Sequence, residues 1–244
     1  MYNHAIIFWK FFGNKMKNQE KIKHMLAMQQ RLNDETNGTG WENGITKDGK
    51  IIHWRRCIYM ECAELIESFA WKHWKNINAN PDEDNVKIEI IDIWHFIMSL
   101  FLGEYRGEPS FDELSAEIAA SALFGDFCKE PFALKNYNQY EIINEIEMII
   151  HTTSTPQTNF ESLLKLFFGL ALKCGVNLEV LFEGYIAKNV LNKFRQNHGY
   201  KEGRYKKVWG GKEDNTVLCE IIASGLLDEN EIYAKLEKIY KEIK

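Results

Sequence analysis

Proline is nearly absent: only Pro81, Pro109, Pro131 and Pro156 interrupt 244 residues. Stretches rich in Leu, Ile, Glu and Lys lie between them, which favours helices over strands. Cysteine is scarce as well. Cys57, Cys62, Cys128, Cys174 and Cys219 are odd in number, widely spaced and mostly set in apolar helical runs, with no CxxC pair. That spacing argues against a disulfide framework or a zinc site and reads as small buried hydrophobes in a reducing cytoplasm. No apolar run is long enough to cross a bilayer. The N-terminal MYNHAIIFWKFFGNK is short, broken by Lys10 and without a small-residue cleavage site, so it is a poor signal peptide. A formal charge of −5 gives no bulk electrostatic pull toward nucleic acid. Internal repeats and low-complexity linkers are also missing.

What is present is an ordinary globular composition, 45% apolar and 27% charged, in a chain long enough to bury a real core. Residues 1–15 read as a dispensable extension, and 16–244 as one all-α domain opening at Met16. Periodicity predicts helices over 18–35, 53–75, 84–105, 111–128, 139–152, 159–173, 177–196 and 227–243. The glycine-rich TNGTGWENGITKDGK and the stretch NINANPDED separate the first three. The third is apolar nearly all round, so it belongs inside a helical bundle. HGYKEGRYKKVWGGKEDN at 198–215 breaks the pattern, being basic, aromatic, glycine-rich and non-periodic.

Two apolar helices carry acids where a buried face would not want them. CIYMECAELIES places Glu61 and Glu64 one turn apart, and VKIEIIDIWHFIMSLFL does the same with Glu89 and Asp92. Residues three apart share a helix face. Packed face to face, the helices bring four carboxylates together, each ionised pair at ~4 Å repelling by roughly 4 kcal/mol at an effective dielectric near 20. Such a group needs a cation or raised pKa values. All-oxygen ligands suit a hard ion, Mg2+ or Mn2+, with positions left for phosphate oxygens. Single acid pairs are common on solvated surfaces, but two on consecutive helices, flanked by apolar residues rather than lysines, favour the metal. Asp92 and His95 also have half of a di-iron spacing. No second copy is suitably placed, since Glu147 and His151 are four apart, and His95 reads as a pocket or core residue.

Glu61-x-x-Glu64 followed by Glu89-x-x-Asp92 resembles the metal motif of the all-α nucleoside triphosphate pyrophosphatases. More narrowly, the sequence is similar to the dimeric dUTPases. The similarity runs through QQRLND, WRRCIYMECAELIESFAWKHWKN, IEIIDIWHF and KNVLNKFRQNHGYKEGRYKKVWGGKEDN, in that order, over roughly half the chain. Residues 103–175 match only loosely.

The resemblance implies hydrolysis of dUTP, and of dUDP, to dUMP by a homodimer that binds neither nucleic acid nor membrane. Glu61, Glu64, Glu89 and Asp92 would hold two or three Mg2+ ions, with Mn2+ as the alternative. One of Glu61 and Glu64 would be the general base. In 185–212, eight basic residues face a single acid, Glu202, a strip suited to clamping a triphosphate and closing over the site. By the resemblance Lys188, Asn192, Arg195, Tyr200, Lys201, Lys207 and Asn215 contact phosphate or sugar. Uracil offers an N3 donor flanked by carbonyl acceptors, and cytosine the opposite pattern at N3 and C4. Gln30 and Asn33, one turn apart, are the expected base readers, with Gln29 as the neighbouring alternative. His95 and Phe96 would line the same pocket, while Trp54, Trp71 and Trp74 are pocket or core. Competing readings are a related pyrophosphatase of different base preference and a catalytically silent nucleotide-sensing or interaction protein.

Overall fold

The computed structural model describes residues 16–242 apart from 77, 107, 132–133 and 227. The extension expected over 1–15 lies outside them. The helices are α1 (Asn18–Asn37), α2 (Trp54–Glu67), α3 (Glu83–Tyr105), α4 (Phe111–Ala120), α5 (Phe124–Phe127), α6 (Gln139–Ser154), α7 (Phe160–Lys173), α8 (Leu178–Asn197), α9 (Asp214–Ala223) and α10 (Glu229–Glu242). Strands β1 (Val208–Trp209) and β2 (Lys212–Glu213) form one small hairpin among the described residues. The fold is all-α, and no described helix is long and apolar enough to cross a membrane.

Helix starts follow local chemistry. Asp82, Asn138 and Asn159 cap α3, α6 and α7 with a side-chain oxygen on a first-turn N–H, and Ser110 with Glu113 forms a capping box on α4. Two expected spans change. The helix expected over 53–75 stops at Glu67, because the chain tightens there: Ser68 N donates to Leu65 O and Trp71 N to Phe69 O. Ser68 is then tied to the start of α3, its carbonyl accepting from Asp82 N and its hydroxyl from Asn85 Nδ2 (2.8 Å). The helix expected over 111–128 is broken after Ala120. Ser121 is extended, its hydroxyl donates back to Ile118 O, and Leu123 takes φ 68°.

The chain divides into two compact units, Asn18–Leu181 and the residues of Phe182–Lys244. In the first, α3 is the central helix. It packs against both α1 and α2, and Trp94 stacks on Phe167 of α7 at 5.1 Å. Ser68–Asn85 at one end and the approach of Gly103 to Trp54 at the other make α2 and α3 antiparallel. In the second, the non-periodic 198–215 segment holds the β-hairpin, and α9 begins inside it. Gly210 and Gly211, both at positive φ, make the two-residue turn that pairs Trp209 with Lys212. Trp209 packs with Phe194 and Tyr240 among Leu191, Leu218 and Leu236.

Candidate active site

Antiparallel packing of α2 on α3 brings Glu61 beside Glu89 and Asp92. One carboxylate oxygen of each lies within 4.8 Å of the others. Glu89 is buried, and Glu61 and Asp92 are half-buried. Glu64, one turn further along α2, is exposed and stands outside this group. Three carboxylates at this separation repel by about 3 kcal/mol per ionised pair at an effective dielectric near 20. A hard divalent cation reverses that sign, and an all-oxygen, partly buried donor set fits one.

One to two turns along α3 from Asp92, a buried polar network joins it to α1. Gln29 Nε2 donates to Asn33 Oδ1 (3.0 Å) and to Ser99 Oγ (3.0 Å), and Asn33 Nδ2 donates to Ser99 Oγ (3.1 Å). His95 Nδ1 lies 2.8 Å from Gln29 Oε1. Gln29 is thus the amide that links Asn33 to His95. Gln30 turns instead to Asp34 Oδ1 (3.1 Å) and Glu42 Oε1 (2.7 Å). Neighbouring positions on a helix point about 100° apart, so one residue of register decides which glutamine joins the network. Ser99 carried no sequence signal except its place one turn after His95. Phe96 is half-buried and stacks on Trp54, ring centroids 6.0 Å apart. Trp71 and Trp74 meet edge to face in the turn after α2, Trp74 remaining 63% exposed.

Within the second unit Lys188, Asn192, Arg195 and Asn215 form one cluster, and Arg195 anchors it on an acid that sequence reading missed. Arg195 grips Asp214 with two parallel bonds, Nε to Oδ2 and Nη2 to Oδ1, both 2.8 Å. It also donates to Asn192 Oδ1 (3.2 Å) and Asn215 Oδ1 (3.1 Å), and Lys188 Nζ donates to the same Asn215 oxygen (2.9 Å). The Tyr200 ring lies 5.8 Å from the guanidinium carbon. Asp214 is 0% exposed, and Tyr205 Oη donates to it at 2.8 Å. Burial alone would raise the Asp214 carboxyl, but Arg195, then Tyr205 and Lys188, hold it below its usual range. Burial and this carboxylate push the Tyr205 phenol up. The available signal was position: Asp214 stands where the glycine turn ends and α9 begins. Lys201 and Lys207 are exposed, Lys207 pairing with Glu213 at 3.2 Å.

A family model described as dUTPase matches residues 21–200 of this chain. The chain belongs to the dUTPase family. It is an enzyme of the dUTP diphosphatase type, and dUTPases generally use a divalent metal; Glu61, Glu89 and Asp92 form a carboxylate cluster that could hold one. The dUTPase match spans the carboxylates, the Gln29–Asn33–His95–Ser99 network and the basic residues from Lys188 to Tyr200. Lys201, Lys207, Asp214 and Asn215 lie beyond it. A comparison with curated proteins returns no match.

Proposed function

We propose that this dUTPase hydrolyses dUTP, and dUDP, to dUMP with release of pyrophosphate or phosphate, and that the reaction depends on Mg2+. The observation that carries this reading is the Glu61–Glu89–Asp92 group at 4.8 Å. Glu64, one turn from Glu61, extends the same ligand set. Divalent ions held there would neutralise phosphate charge and make a water more acidic. Glu61 or Glu64 is the general base that would accept a proton from the attacking water. Lys188, Asn192, Arg195, Tyr200, Lys201, Lys207 and Asn215 hold phosphate and sugar oxygens, and Asp214 keeps the Arg195 fork in one orientation. Asn33 and His95, with Gln29 between them and Gln30 beside it, read the uracil edge, and Phe96 lies against the ring.

The 198–215 segment is mobile without substrate and orders on the polyanion. Five free cysteines suit a reducing cytoplasm, and the dimeric relatives it resembles suggest a homodimer. The test is turnover of dUTP against dCTP, dTTP and UTP, with Mg2+ and with EDTA. We expect dUTP to be strongly preferred and activity to vanish with EDTA and return with Mg2+. Equal turnover of dCTP, or full activity in EDTA, refutes the reading.

A further inference from the structure

The network between α1 and α3 can be followed proton by proton. Ser99 lies in the middle of α3 and is 0% exposed. Its hydroxyl owns one proton and has two acceptors in reach: His95 O at 2.9 Å and Asn33 Oδ1 at 3.4 Å. The shorter bond, back to the carbonyl one turn earlier, is the usual choice of a serine inside a helix. With its proton committed there, Ser99 Oγ faces α1 as an acceptor. Gln29 Nε2 and Asn33 Nδ2 both donate to it, at 3.0 and 3.1 Å.

That orientation has a consequence two bonds away. With Gln29 Nε2 on Ser99, Gln29 Oε1 is the atom 2.8 Å from His95 Nδ1, so Nδ1 must carry the imidazole proton. A neutral His95 then has its lone pair on Nε2. Turning both amides over would set two carbonyl oxygens against a hydroxyl whose proton is already spent. It would also move the ring proton to Nε2. The two senses of the network therefore present opposite faces. One offers an acceptor, which suits the N3–H of uracil, and the other a donor, which suits the N3 of cytosine.

We propose that Ser99 is a positioning residue whose hydroxyl, tied to His95 O, sets the donor and acceptor sense of Gln29, Asn33 and His95 and so selects uracil over cytosine. This rests on the reading that those three side chains read the base. The experiment compares Ser99→Ala, Ser99→Cys and Ser99→Thr with the wild type by two readouts. The 15N shifts of the His95 ring are measured in the free protein at alkaline pH, and kcat/KM is measured for dUTP and dCTP. Thermal melts check that each variant is folded. Wild type and Ser99→Thr should hold the Nδ1–H tautomer. Ser99→Ala, and Ser99→Cys with its weak sulfur acceptor, should show mixed or reversed tautomers. Their dUTP-to-dCTP ratio should fall by about tenfold, equal to about 1.4 kcal/mol, more through KM for dUTP than through kcat. Wild-type tautomer and ratio in both Ser99→Ala and Ser99→Cys overturn the proposal. Gln29→Ala separates the two failures. If it leaves the ratio unchanged, the base-reading role falls. If it lowers the ratio while the Ser99 variants do not, only the role of Ser99 falls.

Discussion

Replacing Asp214 by alanine should destabilise the second unit. The carboxylate is wholly buried, bridged twice by Arg195 and once by Tyr205. Removing one partner of a buried ion pair commonly costs about 3–5 kcal/mol, because the other charge is left behind. Asn192 and Asn215 still accept from Arg195, which places the expected loss at about 3 kcal/mol. At roughly 2–4 °C per kcal/mol for a chain of this size, the melt should fall by about 6–12 °C. Asp214→Asn keeps the shape and one acceptor, so it should lose about half as much. The pH dependence is fixed in sign. The folded Asp214 carboxyl sits below its ordinary value, so its stabilisation is present above the unfolded pKa of ~3.9 and is lost as pH falls through the folded one. The wild-type advantage over Asp214→Asn should be full at neutral pH and narrow in acid. Thermal melts, with hydrogen exchange at the amides of Asp214–Ala223, give the readout. An alanine variant melting within about 1 °C of wild type, or a gap that does not narrow in acid, would refute the reasoning.

Glu61→Gln and Glu89→Gln should abolish turnover with helix content intact, and in EDTA they should melt at or above wild type, since each relieves repulsion of about 3 kcal/mol per ionised pair. Circular dichroism, melts and turnover check this, and near-full activity removes that residue from the chemistry. Asn33→Ala should lower the dUTP-to-dCTP ratio, and Gln30→Ala, engaged with Asp34 and Glu42, should lower it less than Gln29→Ala does. Arg195→Ala and Lys201→Ala should raise the dissociation constant for Mg-dUTP far more than for deoxyuridine, and added salt should weaken Mg-dUTP binding to the wild type. Protein made from Met16 should retain turnover, and a clear loss would show that residues 1–15 are needed.

Helix content and the carboxylate pairing were legible in the amino-acid order because both are local. A 3.6-residue period with few prolines places α1, α3, α6, α7 and α8 to within two residues. Three-residue spacing puts Glu89 and Asp92 on one face before any packing is known. The turn residues were legible too, but not what the turns built. The Gly210–Gly211 pair marked a break, yet the hairpin and the start of α9 depend on Trp209 finding the Phe194–Tyr240 cluster.

Only the tertiary structure decided where α2 stops, which glutamine faces His95, and that Arg195 has a buried partner. Ser68 gives up the helix because α3 supplies Asp82 and Asn85 to bond it. Gln29 rather than Gln30 turns inward because His95 and Ser99 stand on a helix, 66 and 70 residues away. Asp214 is nineteen residues from Arg195, beyond the reach of any helical period. Local torsional preference acts over a few residues and can be read from their order. A buried hydrogen bond between distant segments exists only once the chain has brought them together, because only there has the water that would otherwise satisfy each group been removed.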